Sequence, residues 1–223
     1  MADHEVLHRP AARWGAQEHD MRILVMDPHV DEQHTDALCE AGHEVVRCHE
    51  QGDTHLCSGM PGAKGCPIDD GVDVAVTRPS PDAGNASDGV RCAVRRFIPL
   101  VAVVNDGEDT LVDTVDGAVP VVCTRHGDDL GDAVATAVDA PLARHGALAS
   151  AELTAVLRRQ GLGHRAAEVI VRREGAGLRA EMRPGVDLTN AQAQGAAVRV
   201  NAALRAYDDA ALSVSVLLVT SQG

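Results

Sequence analysis

Between Cys48 and Gly71 the chain reads CHEQGDTHLCSGMPGAKGCPIDDG. This stretch holds Cys48, Cys57 and Cys66, three of the six cysteines, together with His49 and His55. Thiolate and imidazole side by side suit zinc, and clustered sulfurs suit an iron–sulfur group. The candidate metal ligands are therefore Cys48, His49, His55, Cys57 and Cys66. Eight residues separate each cysteine from the next, so no C-x-x-C knuckle is formed. Three other readings use the same residues. Cys57 and Cys66 could close a redox disulfide around a Gly/Pro loop. A cysteine could act as nucleophile with His49 or His55 as its base. The stretch could also be a long surface loop with incidental thiols. The nature of any cofactor stays open, and no catalytic residue is assigned. Cys39, on a helix face, and Cys123, within a strand, read as core residues. Cys92 fits either role.

Other chemistries lack their residues. No G-x-S-x-G, H-E-x-x-H or paired-carboxylate motif occurs. Asp69-Asp70 and Asp128-Asp129 are adjacent pairs and read as solvated turns. A dinucleotide site needs glycines after the first strand, so that backbone can approach a pyrophosphate. The sequence there is Asp27-Pro28-His29-Val30-Asp31, with no glycine. Gly59–Gly65 contains a lysine but no Gly-Lys-Ser/Thr, so it is not a P-loop.

The chain has 223 residues, 45% of them hydrophobic, and a formal net charge of −13. Trp14, Phe97 and Tyr207 are its only aromatics, so the core must be aliphatic. An acidic surface repels phosphate backbones, and nucleic acid is not an expected partner. Arg95-Arg96, Arg158-Arg159 and Arg172-Arg173 are the only basic clusters, and they read as solvated ends of helices or strands. No apolar run approaches the roughly 18 residues of a membrane span, and no basic-then-apolar leader opens the chain. A cytoplasmic protein with reduced thiols is the expectation.

The elements that must position the Cys/His stretch follow in order. Residues 1–20 are polar and aperiodic, and read as a disordered tail. Met21–Asp27 is an apolar run ending in an acid, a buried parallel strand. Asp31–Ala41 is a helix that Gly42 ends, and His43–His49 is a second strand. Val72–Thr77 and Leu100–Asn105 are the third and fourth strands, with a helix over Gly89–Phe97 between them. Thr110–Val115 is a short helix. Val119–Thr124 is the fifth strand, and Pro120 suits an edge. Leu130–His145 is a helix interrupted at Pro141. This alternation predicts an α/β unit over 21–145, a doubly wound, mostly parallel five-stranded sheet carrying the Cys/His loop 48–71.

From residue 149 to 223 the pattern changes to α-β-β-α-β, a small α+β domain. It comprises a helix over Ala151–Gln160 and strands over Ala167–Arg173 and Leu178–Arg183. A hairpin turn at Glu174–Gly177 joins those strands. A long helix over Leu188–Tyr207 follows, capped by Thr189 or Asn190, then a strand over Leu212–Thr220.

ILVMDPHVDEQHTDALCEAGHEVVRC resembles the opening of a response-regulator receiver domain, a flavodoxin-like fold. That resemblance implies a phosphate-accepting Asp after strand three, Ser or Thr after strand four and Lys after strand five. Here Asp27 matches one acid of the first strand. Strand three ends Thr77-Arg78-Pro79, strand four ends Asn105 and strand five ends Thr124-Arg125, so the phosphorylation chemistry is not carried over. Residues 167–220 resemble the small domain of the alkaline-shock protein family and the cytoplasmic tail domain of cation-diffusion transporters. Both imply self-association or binding of a protein partner, and the first implies a place in a stress response. The lead expectation is a non-enzymatic regulatory or assembly protein built on a degenerate receiver. The alternatives are a metal- or redox-responsive protein using the Cys48–Cys66 loop, and a cysteine-dependent enzyme.

Overall fold

The computed structural model describes residues 20–26, 30, 32–48, 66–78, 86–104, 117–125, 128–164 and 166–219. The expected tail before residue 20 and the short helix at 110–115 lie outside them. Five strands, β1 (Arg22–Val25), β2 (Glu44–Arg47), β3 (Val74–Thr77), β4 (Leu100–Val104) and β5 (Val121–Arg125), form one all-parallel sheet. Its order is β2-β1-β3-β4-β5, the flavodoxin-like order of doubly wound sheets. The central strands are buried on both faces, which their uninterrupted Val, Leu, Ile and Ala runs require. β5 is an edge strand, as Pro120 suggests.

Strand alternation divides those residues between two cores. Leu24, Ala75, Leu100 and Ala102 face one way, against Val90 and Ala93 of α2 (Ala86–Arg95). Ile23, Val25, Val76 and Val101 face the other. There they meet Leu38 of α1 (Glu32–Glu40) and Val134 and Ala137 of α3 (Leu130–Asp139). Each large aliphatic side chain taken from water contributes about 1.5–3 kcal/mol, so the sheet is held from both sides. Helix α1 ends as its sequence predicts. Gly42 adopts φ +91°, its N–H bonds Cys39 O, and the His43 N–H bonds Leu38 O, the paired bonds of a Schellman cap.

The remaining elements are α4 (Ala143–Arg159), β6 (Glu168–Glu174), β7 (Gly177–Arg183), α5 (Asn190–Tyr207) and β8 (Val214–Leu218). β6 and β7 pair antiparallel around the expected hairpin, and β8 adds parallel to β7. Helices α4 and α5 cover one face of this three-stranded sheet, over Leu153, Leu157, Val171, Leu178, Met182 and Leu204. Thr189 caps α5 with a reciprocal capping box to Gln192. The other face carries charge, with Glu181 meeting Arg172 at 3.5 Å and Arg183 at 3.3 Å. No helix among the described residues is long and apolar enough to cross a membrane.

One boundary differs from expectation. The helix expected to run to His145 ends at Asp139, and α4 begins at Ala143 rather than Ala151. Pro141 breaks the first helix, and the freed Leu142 N–H bonds Val171 O of β6 at 2.7 Å. His145 therefore belongs to α4, on one stripe with Ala149, Leu153 and Val156.

Candidate functional site

In a parallel sheet every strand ends at the same edge, where ligands of open α/β folds bind. Cys48 follows β2 at that edge, and its N–H bonds Val25 O at 2.9 Å. Its side chain is half-buried against the core that holds Leu24 and Met26. Thr77 ends β3 at the same edge, wholly buried, and its hydroxyl has no hydrogen-bond partner among the described residues.

Cys66 is placed differently. It opens the turn leading into β3, whose Asp70 approaches Arg22 at the start of β1. That is the amino edge. A parallel connection leaves one strand at its carboxyl end and must enter the next at its amino end. Cys48 and Cys66 therefore lie at opposite edges of the sheet. A four-residue strand spans about 13 Å. His49, His55 and Cys57 lie outside the described residues. Among the described residues, no three His, Cys, Asp or Glu side chains converge as metal ligands would.

Two cysteines depart from expectation. Cys39 is exposed, because Thr35 and Leu38 occupy the buried side of α1. Cys123 is exposed on the edge strand β5. The acidic pairs are solvated turns, as expected. Asp69 bonds Arg96 at 2.8 Å, and Asp129 caps α3 through the Gly131 and Asp132 N–H groups.

The densest buried chemistry lies elsewhere, where the three-stranded sheet meets the five-stranded one. On β6, Val169, Val171 and Arg173 point inward in turn. Arg173 is thus carried into the interior, with its side chain 4% exposed. This corrects the expectation of a solvated strand end, because strand alternation, not charge, fixes the direction of its side chain. Its Nη1 donates to Arg96 O at 2.7 Å, and its Nε donates to Gly175 O at 3.0 Å. Asp208, at the end of α5 and 1% exposed, faces it at 3.5 Å. Burial pulls the guanidinium pKa below its ordinary value. Asp208 and then Asp73 pull it back up, and Arg96 opposes them.

His145 completes the cluster. It is fully buried, and its Nε2 lies 3.4 Å from Asp208 Oδ2. If Nε2 carries the proton and donates, a neutral ring leaves Nδ1 as a bare acceptor. Nδ1 and Asp208 Oδ1 are both buried without partners among the described residues. The imidazole packs edge-on to Phe97 at 4.5 Å and to Tyr207 at 4.9 Å, and those two rings stack at 5.5 Å. A His–Asp pair can serve catalysis only where substrate reaches it. This one is enclosed by protein, so its geometry suits holding rather than turnover.

Three backbone features close the junction. The Gly175 N–H bonds Asp73 Oδ1 at 2.6 Å, while Asp73 Oδ2 accepts from Arg22 N at 2.8 Å. Gly71, at φ +85°, lies so close to the hairpin that an added Cβ would sit 2.7 Å from the Ala176 Cβ. Phe97 has φ +53° and occupies the position after α2 where glycine is usual. Its N–H bonds Val94 O and the Ile98 N–H bonds Ala93 O, the same cap that Gly42 makes for α1.

None of Asp73, Phe97, His145, Arg173 or Asp208 is among the residues that motif and spacing single out. The available signals are an arginine on the inward row of an alternating strand and a histidine on the apolar stripe of a helix. No protein-family model matches this sequence, and no curated protein matches it significantly.

Asp208→Asn should cost about 3 kcal/mol or more, because it leaves the buried guanidinium without its nearest counter-charge. The double variant Arg173→Met/Asp208→Asn should cost less than that single change. Urea unfolding of both variants checks the order. Phe97→Gly relieves about 1 kcal/mol of backbone strain but deletes the central ring, for a net loss of about 2 kcal/mol. A rise in its unfolding midpoint would contradict this.

Proposed function

We propose that this chain is a non-enzymatic regulatory or assembly protein. A degenerate receiver-like α/β unit is held in fixed relation to a small α+β unit, through which the chain associates with itself or with a protein partner. The observation that carries the reading is the buried Arg173–Asp208–His145 cluster. Its contacts come from both units: the Arg96 carbonyl and the Phe97 ring from one, and the Gly175 carbonyl, the Asp208 carboxylate and the Tyr207 ring from the other. Such a junction passes a displacement in one unit on to the other, because separating them strands a buried cation.

One feature supports the receiver-like half, and a second supports reading it as degenerate. The strand order is that of the flavodoxin-like class. Thr77 ends β3, where a receiver would carry its phosphate-accepting Asp. The Thr77 hydroxyl is wholly buried, out of reach of a phosphate donor, and we read that edge as a binding surface. The resemblance of residues 167–220 to association modules supports the second half.

The test is a distance measurement between the units. Spin labels on Ala37→Cys in α1 and Val198→Cys in α5 are placed in a chain whose native cysteines are replaced by Ser or Ala. Both labelled positions are exposed. One narrow distance distribution is expected, broadening in Arg173→Met/Asp208→Asn. A broad distribution in the parent chain would mean independent units and would sink the reading.

A further inference from the structure

The two edges of the three-stranded sheet are unlike. The outer edge of β6 is closed: Leu142 N–H bonds Val171 O at 2.7 Å, and Val169 N–H bonds Ser150 Oγ at 2.8 Å. The outer edge of β8 is different. Leu178 N–H bonds Ser213 O, and Val219 N–H bonds Met182 O. With the register Leu178↔Val214 to Met182↔Leu218, the odd residues of β8 aim their backbone groups at β7. The even residues, Val214, Val216 and Leu218, aim theirs outward. Asn201 Nδ2 takes Val214 O at 2.7 Å. No other strand among the described residues pairs with this edge, which leaves the backbone of Val216 and Leu218 as the open part.

Charge and side chains narrow the occupant. The chain carries a net charge of −13, yet Ala210 to Gly223 holds no Asp, Glu, Lys or Arg. Natural edge strands are commonly blunted with charge, proline or a bulge, and β8 has no charge or proline. Copies of so acidic a chain repel each other, and an uncharged edge is where two can meet without opposing like charges. Leu217, 43% exposed, stands on the sheet face away from the helices.

We infer that β8 pairs antiparallel with β8 of a second copy about a two-fold axis at Leu217. This deepens the proposed association and rests on that reading. Val216 then lies opposite Leu218 of the other copy, and Leu218 opposite its Val216. Each of these pairs exchanges two backbone hydrogen bonds, and Leu217 meets Leu217 as a non-hydrogen-bonded pair with its side chains close. Asn201 keeps its bond to Val214 O, which fixes the register by closing the strand before Val216. The contact is isologous, so it stops at two copies. It is small, and the dimer forms and dissociates with concentration.

Sedimentation of the whole chain across a concentration series tests this, with expected mass rising from one copy toward two. Leu217→Lys places two like charges in direct opposition on an exposed site and should abolish the rise, whereas Leu217→Val should keep it. Leu217→Cys and Ser215→Cys are compared with Cys39 and Cys123 replaced by Ser. Opposed Cα atoms in such a pair lie about 4.5 Å apart, within disulfide reach. Mild oxidation should therefore cross-link the 217 variant and spare the 215 variant. A parent chain of one copy at every concentration overturns the inference and leaves the fixed relation of the two units to its own distance measurement. A dimer that survives Leu217→Lys, or equal cross-linking at 215 and 217, also overturns it and moves self-association to another surface. Loss of mass growth in Leu217→Lys only through unfolding is recognised by circular dichroism, and the Leu217→Cys result then decides.

Discussion

A guanidinium cannot stay charged in a protein interior without partners, and Arg173 is the only Arg or Lys among the described residues that is so enclosed. Strand alternation puts it there, and the junction around it supplies what it needs. A carbonyl comes from the end of α2, a second carbonyl from the hairpin tip, and a carboxylate from the end of α5. Each donor or acceptor belongs to a different element, so none of these elements can shift alone. Arg173, Asp208 and His145 are themselves buried, and attraction between charges there is stronger than in water. Replacing such a cluster by apolar groups can cost little, as other buried ion pairs show. In this docking the groups that bond Arg173 come from both units.

The strain at Phe97 belongs to the same constraint. Glycine at that position would end α2 at no steric cost, as Gly42 does for α1. A phenylalanine in a left-handed conformation persists only where its surroundings over-determine it. Those surroundings are His145 and Tyr207, both from the second half of the chain. Gly71 shows the complementary choice. There the hairpin needs space rather than a ring, and the residue with no side chain is the one found.

Much of the fold is legible in the sequence because burial on both faces demands apolar runs. Ile23–Val25, Val74–Val76 and Leu100–Val104 announce the parallel sheet without reference to anything distant. Local chemistry is equally readable at Gly42 and Thr189, whose caps depend on neighbours within five residues. The junction is not legible in this way. Arg173 beside Arg172 looks like a solvated pair, and only the phase of β6, fixed by packing, tells them apart. The bond from Arg173 to Arg96 O spans 77 residues of sequence, and that from Gly175 to Asp73 spans 102. No periodicity carries information over such separations. Of the Cys48–Gly71 stretch, the described residues include Cys48 and Cys66 but not His49, His55 or Cys57. Those two cysteines lie 18 residues apart in sequence, yet one sits at the carboxyl edge of the sheet and the other at the amino edge.

Those separations also bear on how the chain is made. As the ribosome delivers it from the amino end, the five-stranded sheet emerges first, with Asp73, the Arg96 carbonyl and the Phe97 ring facing nothing. Their partners at 173, 175, 207 and 208 come out about a hundred residues later, which at about 5–20 residues per second is a delay of about 5–20 seconds. Throughout that interval the nascent sheet exposes the patch that will become the junction. Translation speed between Arg96 and Asp208 therefore sets how long this patch is open to chaperones or to mispairing with other nascent chains.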